Sequence, residues 1–244
     1  QMMVGVLLFA VTLWRTVLVV RSRIVRRRDR AARGTAHRAP PPAPHSPTSR
    51  PAEGSNDMTE NTTPKTDEVV EAVVSGRCGI SLLGSDPARA QKLTFTPAYV
   101  ELEASYLVPA NSPITELSQV DQPGVRIASF YKSAYDLWLQ RNLKHASLVH
   151  ADSVQASNEL FVSEKLDVLA GLKTGLVTAS QNIPGSRILD GQFTGIQQAI
   201  ATQKTHLESI EFLNACVEEF IRSGLVADLI SQYQVQGLSV AALP

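Results

Sequence analysis

Between residues 126 and 189, short apolar runs alternate with helix-forming segments, and this alternation limits the fold more than any other feature. Arg126-Ile127-Ala128-Ser129, Leu148-Val149-His150, Val168 to Gly171 and Arg187-Ile188-Leu189 read as strands. Ser133 to Leu143, Ser153 to Ser163 and Thr174 to Gln181 fall between them and read as helices. Ser133 and Asp136 open the first helix as a capping pair. Strands joined by helices of this length imply a parallel sheet covered on both faces. In such α/β sheets ligands sit beyond the carboxyl ends of strands, at helix starts. Ser133, just after the strand ending at Ser129, stands at such a place.

Upstream, Ile80-Ser81-Leu82-Leu83 is strand-like and ends at Gly84. Asp86-Pro87 is a helix start: a capping carboxylate, then a residue with its φ preset and no N–H to leave unpaired. Arg89 falls one turn into that helix, where its fork can grip a carboxylate and the helix-start N–H groups favour the same charge. Phe95-Thr96-Pro97-Ala98-Tyr99 then brings two rings and a rigid turn close by. Together these are the parts of a small-anion site. A surface ion pair for Arg89 and plain helix capping for Ser133 are the structural alternatives.

Around this stretch, Thr66 or Asp67 caps a helix with Val69, Val70, Val73 and Val74 on one face and Gly76 beyond its end. Leu102 to Val108 is extended and stops at Pro109. Gln197 to Ala201 is extended again. Ile210, Leu213, Val217, Phe220 and Ile221 then form an amphipathic stripe that Gly224 ends, followed by a helix from Val226 to Tyr233.

The short helix carrying Arg89, the Phe95-Thr96 and Tyr99 turn, and the extended segment ending Tyr106-Leu107-Val108-Pro109 resemble the family 3 extracellular solute-binding proteins. These are the type II periplasmic binding proteins of amino-acid ABC importers. The similarity runs from about Asp67 to about Tyr233. It implies a two-lobed α/β fold, with lobe one at 66–108 and 192–244 and lobe two at 109–191. By the resemblance, Arg89 holds the ligand's carboxylate and Ser133 binds it from the other lobe. Ser85, Tyr99 and Lys132 complete the expected ligand-binding set; Lys132 stands where the family commonly has Gly and adds positive charge.

Two departures from the family pattern matter. The family's carboxylate for the ligand ammonium lies five residues into a strand that here starts at Asp167, and that position is Leu172. An unpaired buried ammonium is strongly disfavoured, so an organic anion lacking the amine is expected over a standard α-amino acid. Second, the strand–helix–strand unit that opens lobe one in the family has no counterpart, so lobe one is expected to be incomplete.

The expected function is binding of a small anionic solute, an amino acid or organic acid, for delivery to an ABC-type importer. The alternatives are a dehydratase-like enzyme on the same fold and a degenerate remnant without a ligand. No enzyme is expected: His145, His150 and His206 fit no triad or metal spacing, and no P-loop or nucleophile elbow occurs. No cofactor or metal is implied. A formal net charge of +0 over 244 residues argues against a nucleic-acid partner.

Met2 to Val20 is nearly continuous apolar sequence, about 28 Å long as a helix at ~1.5 Å per residue. Seven arginines from Arg21 to Arg33 follow it. Residues 1–33 are therefore expected to be a membrane anchor with a basic flank, preceding the binding domain. Such a flank favours the cytoplasmic side, whereas the resemblance places the domain outside the cytoplasm. Residues 34–65, rich in Pro, Ala, Ser and Thr, are expected to be a disordered tether. Cys78 and Cys216 lack metal-ligand spacing; they are either small apolar residues or a disulfide, if strand and C-terminal helix meet.

Overall fold

The nine residues Val100 to Val108 change character half way, and the fold turns on that change. Glu101 and Glu103 alternate with apolar residues in the first half, whereas the second half is buried without interruption. Alternation suits a sheet with one open face; a continuous buried run suits a strand covered on both. One strand thus serves two lobes.

The computed structural model describes residues 65–243. In the first lobe, α1 (Thr66–Val74) leads to β1 (Ile80–Gly84), α2 (Pro87–Ala90), β2 (Leu93–Phe95) and β3 (Val100–Val108). A 3-10 turn (Leu117–Gln119), β4 (Arg126–Phe130), α3 (Ala134–Asn142), β5 (Ser147–Ala151) and α4 (Val154–Ser163) follow. The second lobe closes with β6 (Val168–Leu172), α5 (Lys173–Asn182) and β7 (Arg187–Ile188). β8 (Thr194–Gln203) returns to the first lobe, which ends with α6 (Leu207–Arg222), α7 (Leu225–Tyr233) and β9 (Leu238–Val240).

The first half of β3 pairs antiparallel with β8, and the second half with β6; Ala104 faces Thr194 on one edge and Leu172 on the other. Lobe two has β4 parallel to both β5 and β6, as the alternation implies. Its sheet is nevertheless mixed. β3 occupies the outer edge of β6, so β7 joins β3 antiparallel and does not extend the parallel set. Tyr106, Val108, Ile127 and Val168 pack on one face, with Tyr135 and Leu139 of α3. Leu107, Ala128 and Leu169 pack on the other, with Phe161 of α4 and Leu176 of α5. Neighbours in sequence enter opposite cores, the signature of a strand buried on both sides.

Lobe one is antiparallel throughout: β8 carries β1 on one edge and β2 and β3 on the other. Along its second edge β1 has no strand partner among the described residues. Val70 and Val73 of α1 pack on Leu83, Leu93 and Ala201. Helix α1 starts from Lys65, one residue before the expected cap, and its last valine, Val74, is exposed. Gly76 takes the left-handed conformation expected just beyond that end, at φ 76°. The three-residue strands β2 and β9 show no periodicity in the sequence because they are too short to have one.

Cys216 is a buried apolar residue of α6, whereas Cys78 is exposed; both are free thiols and no disulfide joins them. The Met2–Val20 segment and the tether up to residue 64 lie outside the described residues. Among the described residues no helix is long and apolar enough to cross a membrane.

The entry into β5 is held by Asp121, whose carboxylate accepts from the backbone N–H groups of Lys144, His145 and Ala146 at 2.9, 2.8 and 2.9 Å. Desolvation pushes its pKa up, but these N–H bonds outweigh it and hold the carboxyl below its ordinary value. A depressed folded pKa stabilises the fold above the unfolded value, about 3.9, and that contribution disappears as pH falls through the folded value. Asp121→Ala is expected to lower the urea midpoint at pH 7 and to flatten its fall below about pH 4; equal acid sensitivity in both proteins would contradict this.

Candidate functional site

Asp86 caps α2 by accepting from the Ala88 N–H at 2.8 Å, and Pro87 starts the single turn that sets Arg89 facing the second lobe. That turn is too short to offer a helix-start anion site, and Asp86 already uses its free N–H. The guanidinium itself does the bridging. Nη1 of Arg89 donates to the Gly84 carbonyl at 2.7 Å, and Nη2 donates to the Lys132 carbonyl of lobe two at 2.9 Å. Gly84 also leaves room for close packing beside this bond: a Cβ there would lie 2.8 Å from Ile196 Cγ2 and 2.9 Å from Ala134 Cβ.

Arg89 is 7% exposed and forms no ion pair among the described residues. Burial lowers its pKa, an effect countered by Asp86 and Asp67 nearby. A guanidinium remains charged under any such shift. Two carbonyls engage two of its five N–H groups, so donors remain for a ligand.

Arg89 opens onto a cavity of about 330 Å³ between the lobes. Leu82 and Ile196 wall it from lobe one; Phe130, Ser133 and Leu172 wall it from lobe two. Ser133, 7% exposed, caps α3 by accepting from the Asp136 N–H at 3.2 Å, so it has both the capping role and a place on the cavity wall. Tyr135 beside it has its phenol pushed up to about 12 by burial, against a bond to Ser133 that lowers it.

The other expected residues stand elsewhere. Ser85 is exposed, and its N–H donates to Gln197 O at 2.7 Å. Tyr99 is buried behind the wall, where burial raises the phenol pKa and a bond to the Gln198 side chain partly offsets this. The Lys132 side chain leaves the cavity and pairs with Asp67, which holds its ammonium above the ordinary lysine pKa. Only its backbone reaches the site. Lys132 has φ 57°, and its N–H donates to Asp136 Oδ2 at 2.9 Å while its carbonyl receives Arg89.

Ser157, Asn158, Thr174 and Gln198 also line the cavity, none of them anticipated from the sequence. Thr174 follows the carboxyl end of β6, so the rule that singled out Ser133 applies to it equally. Ser157 and Asn158 are one turn into α4, where no sequence signal separates them from ordinary helix residues. His150 does not reach the cavity; its Nε2 lies 3.0 Å from Oδ1 of the buried Asp136, beneath the Tyr131 ring.

Further contacts hold the lobes together around the cavity. Arg141 of α3 meets Asp86 at 2.7 Å, Lys65 meets Asp152 at 3.1 Å, and Lys132 meets Asp67. The Asp86 side chain is 3% exposed and the Arg141 side chain 43%, so the first pair is the least screened by water.

No protein-family model and no curated protein sequence matches the chain. Solved structures do. The substrate-binding protein of an amino-acid ABC transporter superposes with a TM-score of 0.61 at 15% identity, covering 70% of this chain and 78% of its own. The fold is that of periplasmic solute-binding proteins. A binding component of an ABC transporter from Wolinella succinogenes, solved with lysine, has TM-score 0.61 at 17% identity, with 70% and 76% covered. An ancestral amino-acid-binding protein, described as a precursor of cyclohexadienyl dehydratase, has TM-score 0.60 at 16% identity, again with 70% and 76% covered.

Arg141→Ala leaves the buried Asp86 carboxylate with only its capping bond. Loss of a hydrogen bond to a charged group costs about 1.5–3 kcal/mol. The unliganded variant is expected to unfold in urea with a stability lower by that amount; a change within error would show the pair to be of no consequence.

Proposed function

We propose that the chain binds a small anionic solute between its two lobes and delivers it to an ABC-type permease. The observation that carries this reading is Arg89: a buried guanidinium on the wall of an interlobe cavity, with spare donors and no carboxylate partner among the described residues. A buried charge without a counter-ion is costly, and a bound anion supplies one. Ser133 adds a hydroxyl from the opposite lobe. Ser85 and Tyr99 do not line the cavity; their N–H groups donate to the Gln197 and Gln198 carbonyls of β8, next to the lining residue Gln198. Lys132 contributes its carbonyl and a turn, not its ammonium.

Binding is favoured over dehydratase-like chemistry because Arg89 is the one charged side chain on the lining among the described residues. Among the described residues the wall offers no carboxylate or imidazole, the groups that most often move a proton in such catalysis. In this proposal the domain works outside the cytoplasm, tethered through Met2–Val20, and its lobes close on the solute about the two strands they share.

Titration calorimetry of the full chain against small organic acids and amino acids tests the proposal. One or more of these anions is expected to bind, and Arg89→Ala to weaken that binding by roughly 100-fold or more while circular dichroism remains native. Undiminished affinity in the variant would overturn the assignment of Arg89.

A further inference from the structure

We infer that the solute is an apolar monocarboxylate without an ammonium group. This rests on the reading of Arg89 as the anion anchor and narrows what that anchor holds. Apart from Arg89, no charged side chain lines the cavity among the described residues, and Leu82, Leu172, Leu176, Phe130, Val154 and Ile196 make its walls largely apolar.

The acids nearest the cavity are already engaged. Asp86 caps Ala88 and pairs with Arg141; Asp67 pairs with Lys132. Asp136 accepts from the Lys132 N–H and from Gln140, and faces His150. Glu103 pairs with Lys173 at 2.6 Å, and Glu101 accepts from Gln197. Among the described residues a ligand ammonium in the cavity would meet neutral acceptors alone, among them Ser157, Asn158, Thr174 and Gln198. These suit a hydroxyl or carbonyl; they do not balance a charge. The ligand is also small. A cavity of about 330 Å³ lies at the small end of ligand pockets.

The test is titration calorimetry on the full chain at pH 7 with matched probes. These are 4-methylpentanoate, its α-amino counterpart leucine and its neutral amide, with 3-phenylpropanoate and phenylalanine as a second pair. The acids are expected to bind, each amino acid roughly 100-fold more weakly, and the amide not measurably. An amino acid binding as tightly as its acid would overturn this inference and leave Arg89 as the anion anchor. An amide binding as tightly as the acid would overturn the Arg89 reading itself. Failure of both acids to bind would overturn the inference as well.

Leu172→Asp places a carboxylate on the wall and is expected to shift the acid-to-leucine affinity ratio at least tenfold toward leucine. An unchanged ratio in a folded variant would overturn the inference. Should this variant not fold, the probe series on the unmodified chain decides.

Discussion

The hydrogen bonds of Arg89 are the interaction on which the closed arrangement depends. One guanidinium joins the carbonyl that ends β1 to the carbonyl of a turn in the opposite lobe. Everything near it is arranged to permit this. Gly84 lets Ile196 and Ala134 pack close to that carbonyl, Asp86 and Pro87 set the helical turn, and Asp136 holds the turn that presents Lys132 O. Lys132 adopts a left-handed conformation that costs an ordinary residue about 1–2 kcal/mol. Its N–H donates to Asp136 Oδ2 and its carbonyl accepts from the Arg89 guanidinium, a bond to a charged group that contributes about 1.5–3 kcal/mol, so the strained turn is held.

Two long strands explain how such a bridge can be both present and breakable. β3 and β8 are the elements common to both lobes, and each lobe has its own core on either side of Ala104. In the proposed function, bending them would move one lobe against the other, with Ile196 and Leu102 sliding on the α3 side of the second core. The contacts that would break on opening are Arg89 to Lys132 O and the pairs Arg141–Asp86, Lys132–Asp67 and Lys65–Asp152. Most involve exposed side chains, which contribute little individually. In the proposed function, a cavity held by a few modest bonds would open to admit a solute and be closed more firmly by one that gives Arg89 its counter-ion.

Much of lobe two was legible in the sequence because long buried strands and capped helices carry their own periodicity. The positions of the strands at Arg126, Leu148 and Val168 and of the helix capped by Ser133 agree closely with the structure. The helical turn that carries Arg89 was legible for a local reason as well, since Asp86-Pro87 marks its start. Tyr99 and the Lys132 side chain stand away from the cavity for the opposite reason. Whether a ring faces a cleft or a core depends on which strands flank it, and β8, nearly a hundred residues downstream, flanks Tyr99.

What the sequence by itself determined is local: which segments are strands, where helices start, where both faces of a sheet are covered, and that one arginine follows a capped turn. The tertiary structure alone decided the mixed sheet of lobe two, the switch of partners at Ala104, the pairing of Lys132 with Asp67 and a cavity wall without acids among the described residues. The physical reason is range. Backbone propensity, capping and side-chain period act within one or two turns of chain, whereas sheet edges, ion pairs and cavity walls join residues that only the completed fold brings together.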